Sequence, residues 1–176
     1  MLIMKELFAI LSYICGDFIG IIQCFPVGVG VCGLGIAISV IYYRKSLFIS
    51  KIWIIALLGA YLTVMLDFAF FSREPGSRTA IDLMPFSTWG TTAESRAYVI
   101  ENILMFIPMG WLLPKVIGKL KKWHLCVAAG FVFSICLELA QLMTGRGYCQ
   151  TDDVIMNTLG TGIGWLLSYK YNTKGK

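Results

Sequence analysis

Residues 138–164 read ELAQLMTGRGYCQTDDVIMNTLGTGIG. An apolar helix ends here, carrying Glu138 and Gln141. Gly145-Arg146-Gly147 supplies a tight turn. Thr151, Asp152 and Asp153 then open a second apolar helix, with Asn157 and the small residues Gly160, Gly162 and Gly164 along it. Upstream, Gly130, Ser134, Glu138 and Gln141 recur at steps of four, four and three, which is one face of a helix. A short connection makes two helices antiparallel neighbours. The spacing therefore predicts that Glu138, Gln141, Arg146 and Asn157 converge with Asn102 on one polar pocket. A carboxylate at membrane depth needs a partner or water, so Arg146 is expected to pair with Glu138, Asp152 or Asp153.

Composition fixes the surroundings of that turn. Hydrophobic residues make up 57% of the 176-residue chain and charged residues 14%. Mean hydropathy is +0.75, well beyond a soluble domain. Several apolar runs reach about 20 residues, enough to cross roughly 30 Å of hydrocarbon. The fold class implied is all-α, a polytopic transmembrane bundle of about five to six spans. It forms a single membrane domain over residues 1–176. The net charge of +5 is then a topological signal, not a sign of nucleic-acid binding.

Taken in order, an apolar run over 1–23 is followed by a break at Cys24-Phe25-Pro26, since proline cannot continue a helix without strain. The run lacks a cleavage site of the Ala-x-Ala kind and is read as retained. Further spans are expected over about 27–43, 52–71, 102–113, 123–143 and 152–169. The 72–92 connection is long and polar, and such loops are usually functional. Its Leu83-Met84-Pro85-Phe86 piece suits the membrane surface, and Thr91-x-x-Glu94 fits a capping box that starts a helix. With six spans, Lys5, Arg44, Lys45, Lys51, the lysines of 115–122 and those of the tail share one side. Arg73, Arg78, Arg96 and Arg146 take the other. The positive-inside rule then puts both termini in the cytoplasm. A membrane-surface element in place of the first hairpin would lower the count to about four or five.

The six cysteines show no metal-ligand spacing, and Cys24 and Cys149 are read as unpaired thiols despite lying towards the same face. No metal or cofactor is implied. Lone His124, beside Trp123, reads as an interfacial residue.

Two accounts of the polar residues stand side by side. In one, acids and arginines tie helix ends together, with Asp152 and Asp153 favoured at a positive helix start. In the other they form an outward pocket. Asp82, Asn102, Glu138, Gln141, Arg146, Asp152, Asp153 and Asn157 are its candidate binding residues. A lipid headgroup or lipid-linked cell-wall component would suit it. No nucleophile motif such as G-x-S-x-G or H-E-x-x-H is present, so enzyme chemistry would rest on Glu138 and the Asp152/Asp153 pair. A small transporter or flippase is the third class, because Asp17, Asp67 and Glu138 lie inside apolar runs. With so few spans it would require a homodimer.

The pieces Leu83-Met84-Pro85-Phe86, Asn102-Ile-Leu-Met-Phe-Ile-Pro-Met-Gly110, Glu138-Leu-Ala-Gln141, Arg146 and Asp152-Asp153-Val-Ile-Met-Asn157-Thr-Leu-Gly160 resemble the VanZ-like family in order and spacing. The resemblance covers a core over 82–170. It implies a bacterial cell-membrane protein of the glycopeptide-resistance kind, associated with resistance to the lipoglycopeptide teicoplanin. It implies no catalytic residue.

Overall fold

Long runs of Leu, Ile, Val, Phe and Ala with few terminators favour helices, and helices dominate the chain. The computed structural model describes residues 2–42, 49–76, 78–90 and 92–174. Helix α1 covers Leu2–Tyr42. Helix α2, Ile49–Leu66, continues as a π-helical turn, Asp67–Phe71. Strand β1 (Arg78–Asp82), helix α3 (Ala93–Val116) and a 3-10 turn (Gly118–Lys121) follow. Helix α4 (Trp123–Thr144), strand β2 (Arg146–Gln150) and helix α5 (Thr151–Lys174) complete the order. Among the described residues, three helices are long and apolar enough to cross a membrane: Lys51–Phe71, Ala93–Val116 and Trp123–Thr144.

The expected break at Pro26 does not occur. Residues Leu2–Tyr42 form one helix of 41 residues with Pro26 inside it. At 1.5 Å per residue this is about 60 Å long, twice a hydrocarbon core. Prolines are tolerated within apolar helices because neighbouring groups re-satisfy the freed carbonyl. The consequence is topological. Glu6 pairs with Arg96 near the start of α3, Asp17 lies beside Glu101, and Gly28 packs against Ala60 and Val64 of α2. Helix α1 therefore enters from the end of the bundle where α3 and α5 also begin. The C-terminal end of α5 lies at the other end. The expectation that both termini share one side came from a two-span hairpin that is a single helix here.

The inner seam is α3 against α5. The two run parallel, with backbones in near contact. A Cβ placed on Gly164 would lie 2.0 Å from the Ile107 carbonyl oxygen, and one on Gly160 2.2 Å from that of Ile103. From the other side, a Cβ on Gly110 would meet the Thr161 carbonyl at 2.0 Å. Small residues permit this approach in lipid, where packing rather than hydrophobicity drives association. Beside the seam, Leu58, Met65, Phe106, Met109, Leu112, Leu113 and Cys126 make the apolar core.

Two short strands cross the polar end of the bundle, an element absent from the sequence reading. β1 and β2 pair in parallel, Arg78 with Arg146 through Asp82 with Gln150. The chain enters β2 through Gly145, whose φ of 65° closes α4 while its N–H bonds to the Gln141 and Leu142 carbonyls. Residues 146–150 are thus extended, and the reversal expected at Gly145-Arg146-Gly147 is confined to Gly145. At the start of α3 the cap is Thr92, whose hydroxyl accepts the Ser95 N–H at 3.2 Å. Thr91, the expected cap, lies outside the described residues.

Candidate functional site

The π turn at the end of α2 organises the polar end. Its last carbonyls lie at a helix end, where among the described residues only Phe70 gains a backbone donor, the Arg73 N–H at 3.3 Å, and α4 and β2 supply further donors. Gln141 Nε2 donates to the Ala69 carbonyl at 2.8 Å. Arg146 Nη1 donates to the carbonyls of Phe70, Phe71 and Arg73 at 3.1, 3.2 and 2.8 Å, and its guanidinium sits 4.9 Å from the Phe70 ring centre. A cation at a helix C-terminus is favoured by the macrodipole. Arg146 is therefore a helix cap, and the expected ion pair with Glu138, Asp152 or Asp153 is not formed. That electrostatic place is taken by Arg73, which lies within reach of both Glu138 and Asp153.

The two adjacent aspartates divide their work. Asp152 is buried and accepts the backbone N–H groups of Phe86 and Thr88, the latter at 2.7 Å. It anchors the 83–88 loop to the start of α5. Phe86 adopts φ 64°, a left-handed conformation disfavoured for a bulky residue and held there by that anchor. The loop presents Leu83, Met84, Phe86 and Trp89 to the surroundings. Asp153 turns the other way and accepts a hydrogen bond from Asn102 Nδ2 at 2.7 Å. Asp82, placed in the pocket by the sequence reading, instead closes its own turn. It accepts from Ser87 Oγ at 2.6 Å and from the Met84 N–H at 3.0 Å. The Ser87 hydroxyl first, and the Met84 N–H second, hold its carboxyl below the usual range.

Gly130, Ser134, Glu138 and Gln141 are all buried, so the face read from their spacing is the inward one. Glu138 accepts the Gln150 N–H at 3.1 Å, fixing β2 to α4. Asn157 lies deeper. It donates to Ser134 Oγ at 2.9 Å across the α4–α5 contact and does not reach the polar cavity. Cys149 is a free thiol, its ionisation opposed first by burial and then by the carboxylates of Glu138 and Asp153. The Cys24 side chain lies outside the described residues.

A cavity of about 350 Å³ opens among these elements. Asp17, Arg73, Glu101, Asn102, Gln150 and Asp153 supply its polar wall. A second, apolar cavity of about 170 Å³ adjoins it, lined by Tyr61, Val64, Met65, Leu104 and Pro108 and sharing Asp17, Phe68, Glu101 and Met105 with the first. Of the residues expected at the pocket, Asn102 and Asp153 line it. Glu138, Gln141, Arg146 and Asp152 build its frame, whereas Asp82 and Asn157 stand apart. Arg73, Glu101 and Asp17 complete the wall and were not among the expected binding residues. Asp17 is legible in the sequence as an acid inside an apolar run and Arg73 as an arginine just after one, whereas Glu101 falls immediately before the expected 102–113 span.

Residues 52–171 match the VanZ/LLP1 family, from the beginning of α2 almost to the end of α5. The chain belongs to the VanZ/LLP1 family. Within that family it is similar to Protein VanZ of Enterococcus faecium, at 35% identity over 88 residues. That alignment covers 48% of this chain and 50% of the relative, so the chain spans about half the length of the curated relative it matches. No solved structure matches it significantly. The VanZ/LLP1 match, with the three apolar helices, identifies a helical membrane protein.

Proposed function

We propose that this VanZ/LLP1 protein binds a lipid headgroup or lipid-linked cell-wall component in the polar cavity, at the outer face of a bacterial membrane, and thereby lowers susceptibility to teicoplanin. The observation that carries the reading is the 350 Å³ cavity itself, polar on one wall and adjoining an apolar one. It falls within the usual size of ligand sites.

In this proposal all five helices cross the membrane and the polar end faces outwards. In sequence, residues 43–51, 115–122 and 170–176 hold ten of the 15 Lys and Arg residues, and they come at or after the C-terminal ends of α1, α3 and α5, which lie away from the polar end. The positive-inside rule assigns that end to the cytoplasm. The N-terminal part of α1 then lies outside. A binding role is favoured over acid–base catalysis by Asp152, since both its oxygens already accept backbone N–H groups.

The test compares teicoplanin inhibitory concentrations in cells expressing the wild type, Asp153→Asn, Lys119→Ala or an empty vector, with membrane levels checked by immunoblot. Wild type and Lys119→Ala should protect, and Asp153→Asn should fall to the vector level. Equal susceptibility in all four would overturn the proposal.

A further inference from the structure

The adjoining cavities say more about the ligand than its location. Glu101 is 8% exposed, yet its Oε1 has no hydrogen-bond partner and it borders both chambers. A buried acceptor left unpaired costs about 1–3 kcal/mol, so a donor is expected to meet it. Asp17 reaches Glu101 from α1 closely enough for the two carboxyl groups to hydrogen-bond, again bordering both chambers, and Glu101 Oε1 is the atom left over. Asp153 adds a third carboxylate to the polar wall, against which Arg73 is the one cation among the described lining residues. The Arg73 charge in turn acts on both Asp153 and Glu138. The place where the two chambers meet is therefore acceptor-rich and short of positive charge. An anionic headgroup there would face carboxylates, and like charges in a low-dielectric site repel strongly.

Below that junction the wall changes character. Tyr61, Val64, Met65, Leu104 and Pro108 offer only carbon and sulfur surface apart from the Tyr61 hydroxyl, which is committed to the Met105 carbonyl at 2.5 Å. Leu104 is part exposed, so the apolar chamber is a cleft between α1, α2 and α3. Such a cleft accepts a hydrocarbon chain and rejects a polar group that it cannot pair.

Resting on the binding role argued above, we infer that the ligand is an amphiphile with a single hydrocarbon chain and an amine-type cationic headgroup. The chain occupies the cleft beside Leu104 and Met65. The ammonium sits against the Asp17–Glu101 carboxyl pair and donates to Glu101 Oε1. Any carbonyl or anionic part of the headgroup points to Arg73.

The experiment measures binding to the full chain in phosphatidylcholine nanodiscs at neutral pH, by native mass spectrometry and calorimetry. The probes are dodecylammonium, dodecyl phosphate and butylammonium. Dodecylammonium should bind at least about tenfold tighter than either other probe, the scale set by one charge-assisted hydrogen bond or a few buried methylenes. Glu101→Gln should remove the advantage over dodecyl phosphate. Leu104→Trp, which fills the cleft, should remove the advantage over butylammonium. The wild-type comparison stands even where a variant fails to fold. Equal or tighter binding of dodecyl phosphate overturns the cationic headgroup while leaving a lipid-binding pocket in place. Equal binding of butylammonium overturns the chain. Binding of no probe overturns both this inference and the lipid-binding role on which it rests.

Discussion

The α3–α5 seam and the polar end are only a few turns apart, yet they use space in opposite ways. In the seam, glycines bring backbones so close that a single Cβ would lie 2.0–2.2 Å from a carbonyl oxygen. At the polar end, side chains hold helix ends apart and leave a cavity of about 350 Å³. The same helices serve both regions. Close packing in the apolar part fixes where Asn102 and Asp153 emerge, and the loops then frame an opening that packing alone would have closed.

The largest expected effect breaks the seam. Gly164→Ala should destabilise by about 1–3 kcal/mol, as overpacking against backbone usually does, and more than its gain in helix propensity. Gly162→Ala, on the same helix but with its nearest neighbour, Val127 Cγ2, at 3.8 Å, should change stability by less than about 0.5 kcal/mol. Unfolding in mixed detergent micelles, followed by circular dichroism, measures both. Equal losses would show that the seam is not the constraint.

The next effect opens the polar end. Asp152→Ala leaves the N–H groups of Phe86 and Thr88 without their acceptor and should cost about 1–3 kcal/mol. Hydrogen exchange should rise across residues 83–90 and stay unchanged in the seam.

A smaller effect tests the cap. Arg146→Ala removes donors to three carbonyls at the end of α2 and should cost about 1–2 kcal/mol, with Arg146→Lys recovering part of it. The loss should be insensitive to Glu138→Gln, whereas an ion pair between them would make the two changes couple in a double-mutant cycle.

The contrast also explains what could be read in advance. The helical class, the inward face of α4 and the clustering of polar groups around residues 138–157 follow from periodicity and from the cost of a charge in lipid. The role of Arg146 does not. Its partners are carbonyls of residues 70–73, exposed by a π turn that no local pattern announces. The parallel ribbon was equally hidden, because β1 and β2 are separated in sequence by two whole helices. Asp152 and Asp153 look alike in sequence and differ only because successive residues of a helix point about 100° apart. One therefore meets the 83–88 loop and the other the cavity. Pro26 misled in the opposite direction. A strong breaker in water is a tolerated residue in an apolar helix, and that single difference moves the N-terminus to the other end of the bundle.

The proposed topology puts the polar end, with its cavity and the N-terminal part of α1, on the outer side. Single cysteines at Lys5, Thr92 and Lys119, in a background with the native cysteines replaced, test it by labelling intact cells with a membrane-impermeant maleimide. Labelling is expected at positions 5 and 92, and at 119 only after permeabilisation. Labelling of 119 in intact cells, with 5 and 92 protected, would contradict it.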